Sequence, residues 1–546
     1  MTIHARVSPA PWRVKAAWAA ALLAAAGLSA AIPAAAQGTA AAAQPGALVG
    51  TSQLPTLGDG GDLGLGAERR LGERIAREIY RDPDYLDDPV LVEYVQGIWQ
   101  PLLAAARGRG ELSPEMSERF AWEVMLGRDR SINAFALPGG YLGLHLGLVA
   151  AVSNRDELAS VLAHELSHVT QRHISRLMSK QSQQAPLVIA ALILGALAAS
   201  KSPDMANAMI VGGQAAAIQN QLNFSRDMER EADRVGFGVM TQAGFDAQGF
   251  VTMFDKLQQA SRLNDNGAFP YLRSHPLTTE RIADMQSRQP LGTRAPDVAQ
   301  QTIEHALVAA RARVLSNPGA DALRASLQEV DRAPQPGIGA ARQAGALYGA
   351  TLAAIRLRDF QAARTLQSRL ASLVEADPGG ARLARLLAVE LELAAPDAPA
   401  TPAPAQLDAW ASGATADTLG VFARQRPELF LSAAVLLRSG QAAEAAQRLQ
   451  TWVATHPRDA QAWQLLSSAC AAQGQTLRAI RAEAEVQVAL LDYAAAADRF
   501  RAAQELVRQM LKPGASGGMP DHIEASIIDT RARQVQSVLR EQALER

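Results

Sequence analysis

The chain has 546 residues, more than one ordinary hydrophobic core supports, so we expect at least two domains. Hydrophobic residues make up 48% of it and charged residues 20%, which allows sizeable cores, and the formal net charge of -1 gives no overall field that would attract nucleic acid. The single cysteine, Cys470, excludes an intrachain disulfide and a thiolate zinc cluster.

The N-terminus has the pattern of a secretory signal. Basic residues up to Lys15 precede the apolar run "AAWAAALLAAAGLSAAI", and Ala34 and Ala36 stand at the two positions that a signal peptidase reads. We therefore expect residues 1–36 to be removed by cleavage before Gln37, so that the mature protein is exported. An uncleaved membrane anchor is the alternative reading.

The next stretch divides into a flexible segment and a mixed domain. Residues 37–65 are rich in Gly, Ala, Pro and Thr, which predicts a flexible N-terminal segment. Helical periodicity begins at residue 66, "FAWEVML" alternates as a strand does, and "INAFALPGGYLGLHLGLV" indicates two strands joined by a turn. The pattern predicts an α+β domain over residues 66–290 with a small antiparallel sheet. Asn154 and Glu157 form a capping box that would begin the next helix.

Residues 186–218 contain two apolar runs, "PLVIAALILGALAA" and "MANAMIVGGQAAAI". Each is too short to span a membrane comfortably. They are expected to form a helical hairpin, which is either a pair of core helices or a lid or membrane-touching element.

Residues 291–546 change in character, because Ala, Leu and Arg dominate at helical spacing. Small and apolar residues recur with a period of 34, as in tetratricopeptide repeats. The residues in this register are Gly440, Ala445, Leu449, Pro457, Trp463, Leu466, Gly474 and Ala479. We predict an α-solenoid of tetratricopeptide-like repeats, with a generic alanine-rich bundle as the alternative.

The stretch "VLAHELSHVTQRH" carries the strongest chemical signal. Residues four apart lie on one helix face, so His164 and His168 can bind one metal ion. Glu165 lies about 100° further around the helix. It can therefore reach a water molecule near the ion rather than serve as an equivalent ligand, which is the arrangement of a metallopeptidase.

A third ligand is expected from "SRDMEREADRVGFGVM". Small residues at Ala232 and Gly236 would let this helix lie close to the first one, and Glu229 shares their face. Glu231 is the alternative ligand on spacing alone. Asp233, one turn after Glu229, would orient a ligand histidine or carry a proton.

The stretch "SHPLTTERIADM" supplies His275 and Arg281. Both could stabilise an oxyanion, or His275 could fill the fourth metal position and hold the enzyme latent. From the sequence alone His275 remains a lone histidine beside a proline.

In this order the motifs "HELSH", "EREADR" and "SHPLTTER" resemble those of the HtpX and CAAX-prenyl-protease clan of gluzincin peptidases. The closer likeness is to its exported branch with a tetratricopeptide tail, the BepA-like periplasmic proteases and chaperones of outer-membrane assembly. The resemblance implies that His164, His168 and Glu229 bind zinc, that Glu165 is the catalytic glutamate, and that Asp233 is a proton donor or supports the ligands.

The resemblance also implies roles for two further segments. His275 and Arg281 fall on the histidine and arginine near the metal. Asn133, Ala134 and Phe135 fall on an edge strand that accepts an extended substrate by β-addition. Integral members of the clan have membrane spans around the catalytic helix, whereas the apolar runs here are short. That favours a soluble or peripherally membrane-associated periplasmic protein.

The sequence therefore predicts a mainly α protein, in which an α+β gluzincin metallopeptidase domain precedes an α-solenoid. It should bind one Zn²⁺ per chain and cleave misfolded or stalled envelope proteins, with the repeats docking substrates or the outer-membrane assembly machinery and no role for nucleic acid. The alternative is a latent or non-proteolytic chaperone or assembly adaptor that acts through its repeats. A purely structural zinc protein is disfavoured because Glu165 stands where a base is needed.

Overall fold

The computed structural model describes residues 63–179, 226–262, 270–288, 301–332, 339–395, 426–512 and 521–544. The predicted signal peptide, nearly all of the flexible N-terminal segment and the apolar hairpin at 186–218 lie outside the described residues. None of the described helices is both long and apolar enough to cross a membrane.

The first part of the chain combines helices with four short strands. The second helix shows why the elements form: Asp88 caps its N-terminus, Pro89 occupies its first turn, and Leu91, Val95 and Trp99 are buried along one face. In chain order the elements are α1 (Leu65–Arg81), β1 (Tyr85–Leu86), α2 (Pro89–Gly108), α3 (Pro114–Arg119), β2 (Glu123–Gly127), β3 (Ala134–Leu137), a 3₁₀ turn (Pro138–Gly140), β4 (Tyr141–His145), α4 (Leu146–Ala151), α5 (Arg155–Thr170), α6 (His173–Ser179), α7 (Arg226–Gln242), α8 (Gln248–Arg262), α9 (Pro270–Ser274) and α10 (Thr279–Ser287).

The four strands form one sheet in the order β1, β2, β4, β3. β1 pairs with β2 and β3 with β4 in antiparallel fashion, but β2 and β4 run parallel, with Glu123 opposite Tyr141. The expectation of an antiparallel sheet is therefore wrong in this detail, and the sheet is mixed. The reason is topological. After β2 the chain forms β3 at the edge of the sheet and leaves one strand position vacant between them. It then reverses through the Pro-Gly-Gly turn, so β4 occupies that position and runs parallel to β2.

The remaining part of the described chain is helical. Its elements are α11 (Ile303–Ser316), α12 (Ala320–Arg332), α13 (Ala340–Arg356), α14 (Phe360–Val374), α15 (Pro378–Ala394), α16 (Arg426–Arg438), α17 (Ala442–Thr455), α18 (Ala460–Ala472), α19 (Thr476–Ala489), α20 (Tyr493–Met510) and α21 (His522–Leu544). Gly440 and Gly474, 34 residues apart, lie at positive φ between α16 and α17 and between α18 and α19. The same register buries Ala445 in α17 and Trp463 in α18. The predicted fold class, a gluzincin-type α+β domain with a helical-repeat region, is confirmed.

Three arginines of the helical part bind acidic residues at the start of α2, and we call this set the arginine seam. Arg311 Nη2 lies 2.7 Å from Asp88 Oδ2, Arg426 Nη2 lies 2.6 Å from an Asp87 oxygen, and Arg382 Nη2 lies 3.0 Å from Glu93 Oε2. Each arginine also forms an ion pair with a second carboxylate: Arg311 with Glu390, Arg426 with Asp459 and Arg382 with Glu428. The seam fastens the repeats to the α+β part.

Candidate metal centre

The helix α5 presents two histidines to one point. Asn154 caps it by accepting a hydrogen bond from the backbone N–H of Glu157, as the capping box predicts. Every residue from Glu157 to Thr170 is buried, so the helix lies in the core rather than on the surface. One turn separates His164 from His168, and their Nε2 atoms are 3.0 Å apart.

The helix α7 brings a carboxylate to the same point. Gly236 allows the approach, because a Cβ there would lie 3.0 Å from the carbonyl oxygen of Ala163 in α5. Glu229 Oε1 is 3.4 Å from His168 Nε2, and its Oε2 is 3.6 Å from His164 Nε2. Of the two glutamates that spacing left open, it is therefore Glu229 that faces the histidines.

A third imidazole arrives from the segment after α9. His275 is buried, and its Nδ1 lies 3.0 Å from Glu229 Oε1 and 3.3 Å from His164 Nε2. We call His164, His168, Glu229 and His275 the metal cluster; one donor atom from each lies within 4.8 Å of all the others.

The donor set of the metal cluster fits a small divalent cation. Ligand atoms about 2.1 Å from a tetrahedrally coordinated ion lie roughly 3.4 Å from one another. The donor separations given above, from 3.0 to 3.6 Å, match this spacing. Because an imidazole nitrogen that carries a lone pair cannot donate to another one, a bound cation also explains why these nitrogens converge. Imidazole and carboxylate are ligands that zinc accepts.

Asp233 and Arg281 support the metal cluster from behind. An Asp233 oxygen is 2.9 Å from His164 Nδ1, on the side of the ring away from the cluster. Arg281 donates from Nε and Nη2 to the two Asp233 oxygens, at 2.6 and 2.8 Å, and its Nη1 is 2.8 Å from Glu229. Arg281 therefore joins two carboxylates and fixes both relative to His164.

Burial and mutual charge set the protonation of the cluster. Burial alone would raise the pKa of Glu229, but His275, His164 and Arg281 outweigh it and bring that pKa below its usual value. Burial would likewise lower the pKa of His275, but Glu229 and Glu165 raise it above normal. Burial and the neighbouring imidazoles lower the pKa of His168, which keeps it neutral as a metal ligand must be.

Glu165 lies beside the cluster and touches the edge strand. Its Oε2 accepts a hydrogen bond of 2.9 Å from the backbone N–H of Ala136 in β3, and its Oε1 is 3.4 Å from His275 Nε2. That Oε1 accepts no hydrogen bond from any residue that the structure describes. Burial raises the pKa of Glu165 above its usual value, which makes the carboxylate a stronger base.

The strand β3 forms an edge of the sheet, next to Glu165. Asn133 accepts a hydrogen bond from the N–H of His145, and Phe135 lies opposite Gly143, so the backbone groups of these two residues are directed towards β4. The alternation turns the N–H and C=O groups of Ala134 and Ala136 outwards. Of the three predicted substrate-binding residues, Ala134 is thus the one whose backbone is turned away from the sheet.

Three residues near the cluster escaped the sequence analysis. Ala136 contacts Glu165 through its backbone, which no side-chain pattern reveals. Tyr271 is buried with its ring centroid 4.6 Å from that of His275, and burial raises its pKa well above normal. His173 follows "HELSH" by five residues and its Nδ1 lies 2.9 Å from that of His168; burial lowers its pKa to about 4. The only sequence signal for it was the third histidine of "HELSHVTQRH".

Comparison with known proteins agrees with this geometry. Residues 111–289 match the family model described as Peptidase family M48, a range that contains the whole metal cluster.

Similarity to individual proteins extends well beyond that range. The chain is 31% identical over 436 residues to the beta-barrel assembly-enhancing protease of Escherichia coli K12, covering 79% of this chain and 83% of that protein. A Vibrio cholerae protein whose name also contains the words beta-barrel assembly-enhancing protease is 33% identical over 323 residues, which span 58% of this chain and 63% of that relative. The mitochondrial metalloendopeptidase OMA1 of Arabidopsis thaliana is 32% identical over 166 residues, 30% of this chain and 31% of its own length.

Proposed function

The chain belongs to peptidase family M48 and is a metalloendopeptidase, and from this premise we propose that its metal is zinc and that its substrates are misfolded or stalled proteins of the bacterial envelope. The observation that carries the proposal is the convergence of three imidazoles and one carboxylate at zinc-like spacing, with Glu165 beside them.

In this proposal His164, His168 and Glu229 hold the zinc ion. A bound zinc ion would supply Lewis-acid chemistry by polarising the scissile carbonyl and lowering the pKa of water. The Asp233 oxygen that lies 2.9 Å from His164 Nδ1 favours the tautomer with its proton on Nδ1, which leaves the Nε2 lone pair free for the ion. Burial alone would raise the pKa of either carboxylate; Arg281 keeps Asp233 ionised, and His275, His164 and Arg281 together keep Glu229 ionised.

Glu165 is the general base in this scheme. Its free Oε1 takes a proton from the attacking water and passes it to the leaving amine nitrogen. The hydrogen bond from Ala136 holds the other oxygen, so the carboxylate has one fixed and one reactive atom. The raised pKa of Glu165 supports this role, since a base is most effective when its pKa approaches the working pH.

The substrate would enter as an extended strand along β3. A strand added to a sheet edge pairs with the outward N–H and C=O groups, which here are those of Ala134 together with the C=O of Ala136, since the N–H of Ala136 is bound to Glu165. Pairing there brings the peptide backbone to Glu165, because Ala136 already contacts that side chain. This selects an unfolded segment without demanding a particular sequence, which suits misfolded substrates.

The cellular role is inferred from the relatives and from the N-terminus. Two relatives are named for enhancing β-barrel assembly, and the first 36 residues have the pattern of an export signal. We propose that the mature protein acts in the periplasm on outer-membrane proteins that stall during assembly. The helical repeats would dock those substrates or the assembly machinery.

Zinc content and casein cleavage, measured together on the mature chain and on Glu165→Gln, test the proposed function. Wild type should hold about one zinc per chain and cleave casein. The variant should keep its zinc and lose activity by about 10²- to 10⁴-fold, the typical contribution of a general base. Absence of zinc from wild-type protein, or full activity of the variant, would contradict the proposal.

His275 favours a second candidate, a latent protease with an adaptor role. Catalytic zinc sites keep one position open for water, whereas His275 Nδ1 occupies the fourth corner of the cluster. If His275 blocks the site, His275→Ala should raise casein cleavage above the wild-type rate. If His275 instead stabilises the oxyanion, the same variant should lose activity while it keeps zinc.

A further inference from the structure

A second series of polar contacts lies behind His168, on the side of its ring away from the metal cluster. His168 Nδ1 is 2.9 Å from His173 Nδ1, and His173 Nε2 is 3.1 Å from Glu231 Oε2. Arg176 Nη1 is 2.8 Å from the same oxygen of Glu231. The rings of His168 and His173 are both completely buried.

Only one arrangement of protons satisfies all of these contacts. If His168 Nε2 directs its lone pair at the cluster, its proton is on Nδ1, which donates to His173. His173 must then accept at Nδ1 and carry its own proton on Nε2, from which it donates to Glu231. Each donor thus meets an acceptor, and the series ends on a carboxylate that Arg176 neutralises.

The backbone makes an unusual turn that brings these rings together. In a continuous helix a residue five positions after His168 would lie about 140° around the axis and could not reach its ring. The helix α5 instead ends at Thr170, Arg172 adopts φ 52°, and α6 begins at His173. Positive φ costs free energy for a residue with a side chain, so a specific contact is expected to compensate for it.

The series also gives the Nδ1 atom of His168 a connection to a carboxylate, as the Nδ1 atom of His164 has. His164 has the carboxylate of Asp233 at its Nδ1, 2.9 Å away. His168 is connected through His173 to the carboxylate of Glu231. The Nδ1 atoms of both histidines are therefore connected to a carboxylate, directly for His164 and through the imidazole of His173 for His168.

We propose that His173 and Glu231 are positioning residues for the metal ligand His168, which fix its tautomer and ring orientation and thereby strengthen metal binding. The inference rests on the proposed function, because it requires that a metal ion binds the cluster. It adds two residues, neither of which is itself a ligand, to the determinants of metal affinity.

Zinc affinity of the full mature chain, measured by competition with a chelating dye, tests the inference without using activity. His173→Leu removes the acceptor for His168 Nδ1 and should weaken zinc binding about 10- to 100-fold, as other losses of such supporting contacts do. His173→Asn places an amide oxygen where Nδ1 stood and should restore most of the affinity. Glu231→Gln should weaken binding by a smaller factor.

Glu73→Gln is the matched control. Glu73 pairs with Arg69 at 2.9 Å and its side chain is 24% exposed, while Glu231 pairs with Arg176 at 2.8 Å and is 27% exposed. No hydrogen bond found in the described residues links Glu73 to the cluster, so this variant should bind zinc as wild type does.

The outcomes separate the inference from the proposed function. If wild type binds zinc and both His173→Leu and Glu231→Gln bind it equally well, the inference is wrong and the proposed function stands. Equal losses in His173→Leu and His173→Asn would show a packing role and would also overturn it. If wild type binds no zinc, both fail. Should His173→Leu not fold, the partly exposed Glu231→Gln decides alone.

Discussion

The metal cluster is a buried set of polar and charged side chains and the arginine seam is a buried to half-buried one, but their hydrogen-bonding groups are balanced differently. In the seam each guanidinium faces two carboxylates, so donors and acceptors match. In the cluster, three imidazole nitrogens and a carboxylate turn towards one another. A surplus of acceptors at one point indicates a cation site, whereas a balanced set indicates a structural link.

The largest effect that would test this contrast is expected from Glu229→Gln. The change removes the anionic donor of the cluster, so zinc affinity should fall by more than about 100-fold, beyond the usual cost of a supporting contact. The melting temperature of the metal-free protein should fall only modestly, because Arg281 keeps its other carboxylate, Asp233, when the charge of Glu229 is removed. Chelator competition and thermal unfolding measure the two quantities. A large loss of metal-free stability would mean that the cluster is a structural link after all.

Arg311→Met should give the opposite result. Arg311 is buried and holds Asp88 and Glu390, so its loss leaves one buried and one half-buried carboxylate without their cation. Breaking a buried ion pair from one side costs about 3–5 kcal/mol of unfolding free energy. Chemical denaturation should show that loss while zinc affinity remains that of wild type. Unchanged stability would contradict the structural role of the seam.

The pH dependence of stability sharpens the comparison within the seam. Burial raises the pKa of Glu93 to about 7, although Arg382 opposes the shift. A folded-state pKa above the unfolded value contributes stability at low pH that is lost as the pH rises from about 4.5 to 7. The amide in Glu93→Gln cannot ionise. The unfolding free energy of this variant should therefore increase relative to that of wild type as the pH rises through this range, by at most about 3 kcal/mol. Thermal unfolding at a series of pH values measures this difference, with Glu444→Gln, at an exposed position, as the control. Parallel pH–stability curves for wild type and Glu93→Gln would contradict the raised pKa of Glu93.

The smallest effect is expected at an exposed link between the same two parts. Arg81 Nη2 is 2.8 Å from Asp492, with 50% of the arginine side chain exposed. Because water screens such pairs, Arg81→Ala should lower the unfolding free energy by less than about 1 kcal/mol. Denaturation side by side with Arg311→Met checks this, and equal losses would show that burial does not distinguish the two contacts.

Local pattern predicted His164, His168 and Glu229, which the structure brings close together. The four-residue spacing of His164 and His168, and the small residues on the face of Glu229, are properties of single helices. Contacts that depend on a rare backbone angle or on distant segments could not be derived in this way. His173 reaches His168 only because Arg172 has positive φ.

In the sheet and the arginine seam, too, local features were predictable from the sequence and contacts between distant segments were not. The two strands on either side of the Pro-Gly-Gly turn pair as an antiparallel hairpin, as their alternation predicts. The parallel pairing of β2 with β4 depends on where the chain crosses the sheet, which alternation does not encode. Arg426 and Asp87 are 339 residues apart, so no periodic pattern could join them.

The most direct test of the central claim is zinc K-edge X-ray absorption combined with metal analysis of the purified mature chain. We expect about one zinc per chain, with only nitrogen and oxygen ligands at about 2.0–2.2 Å and histidine scattering from at least two imidazoles. A folded chain that binds no zinc at micromolar concentrations would contradict the claim that the metal cluster binds a metal ion.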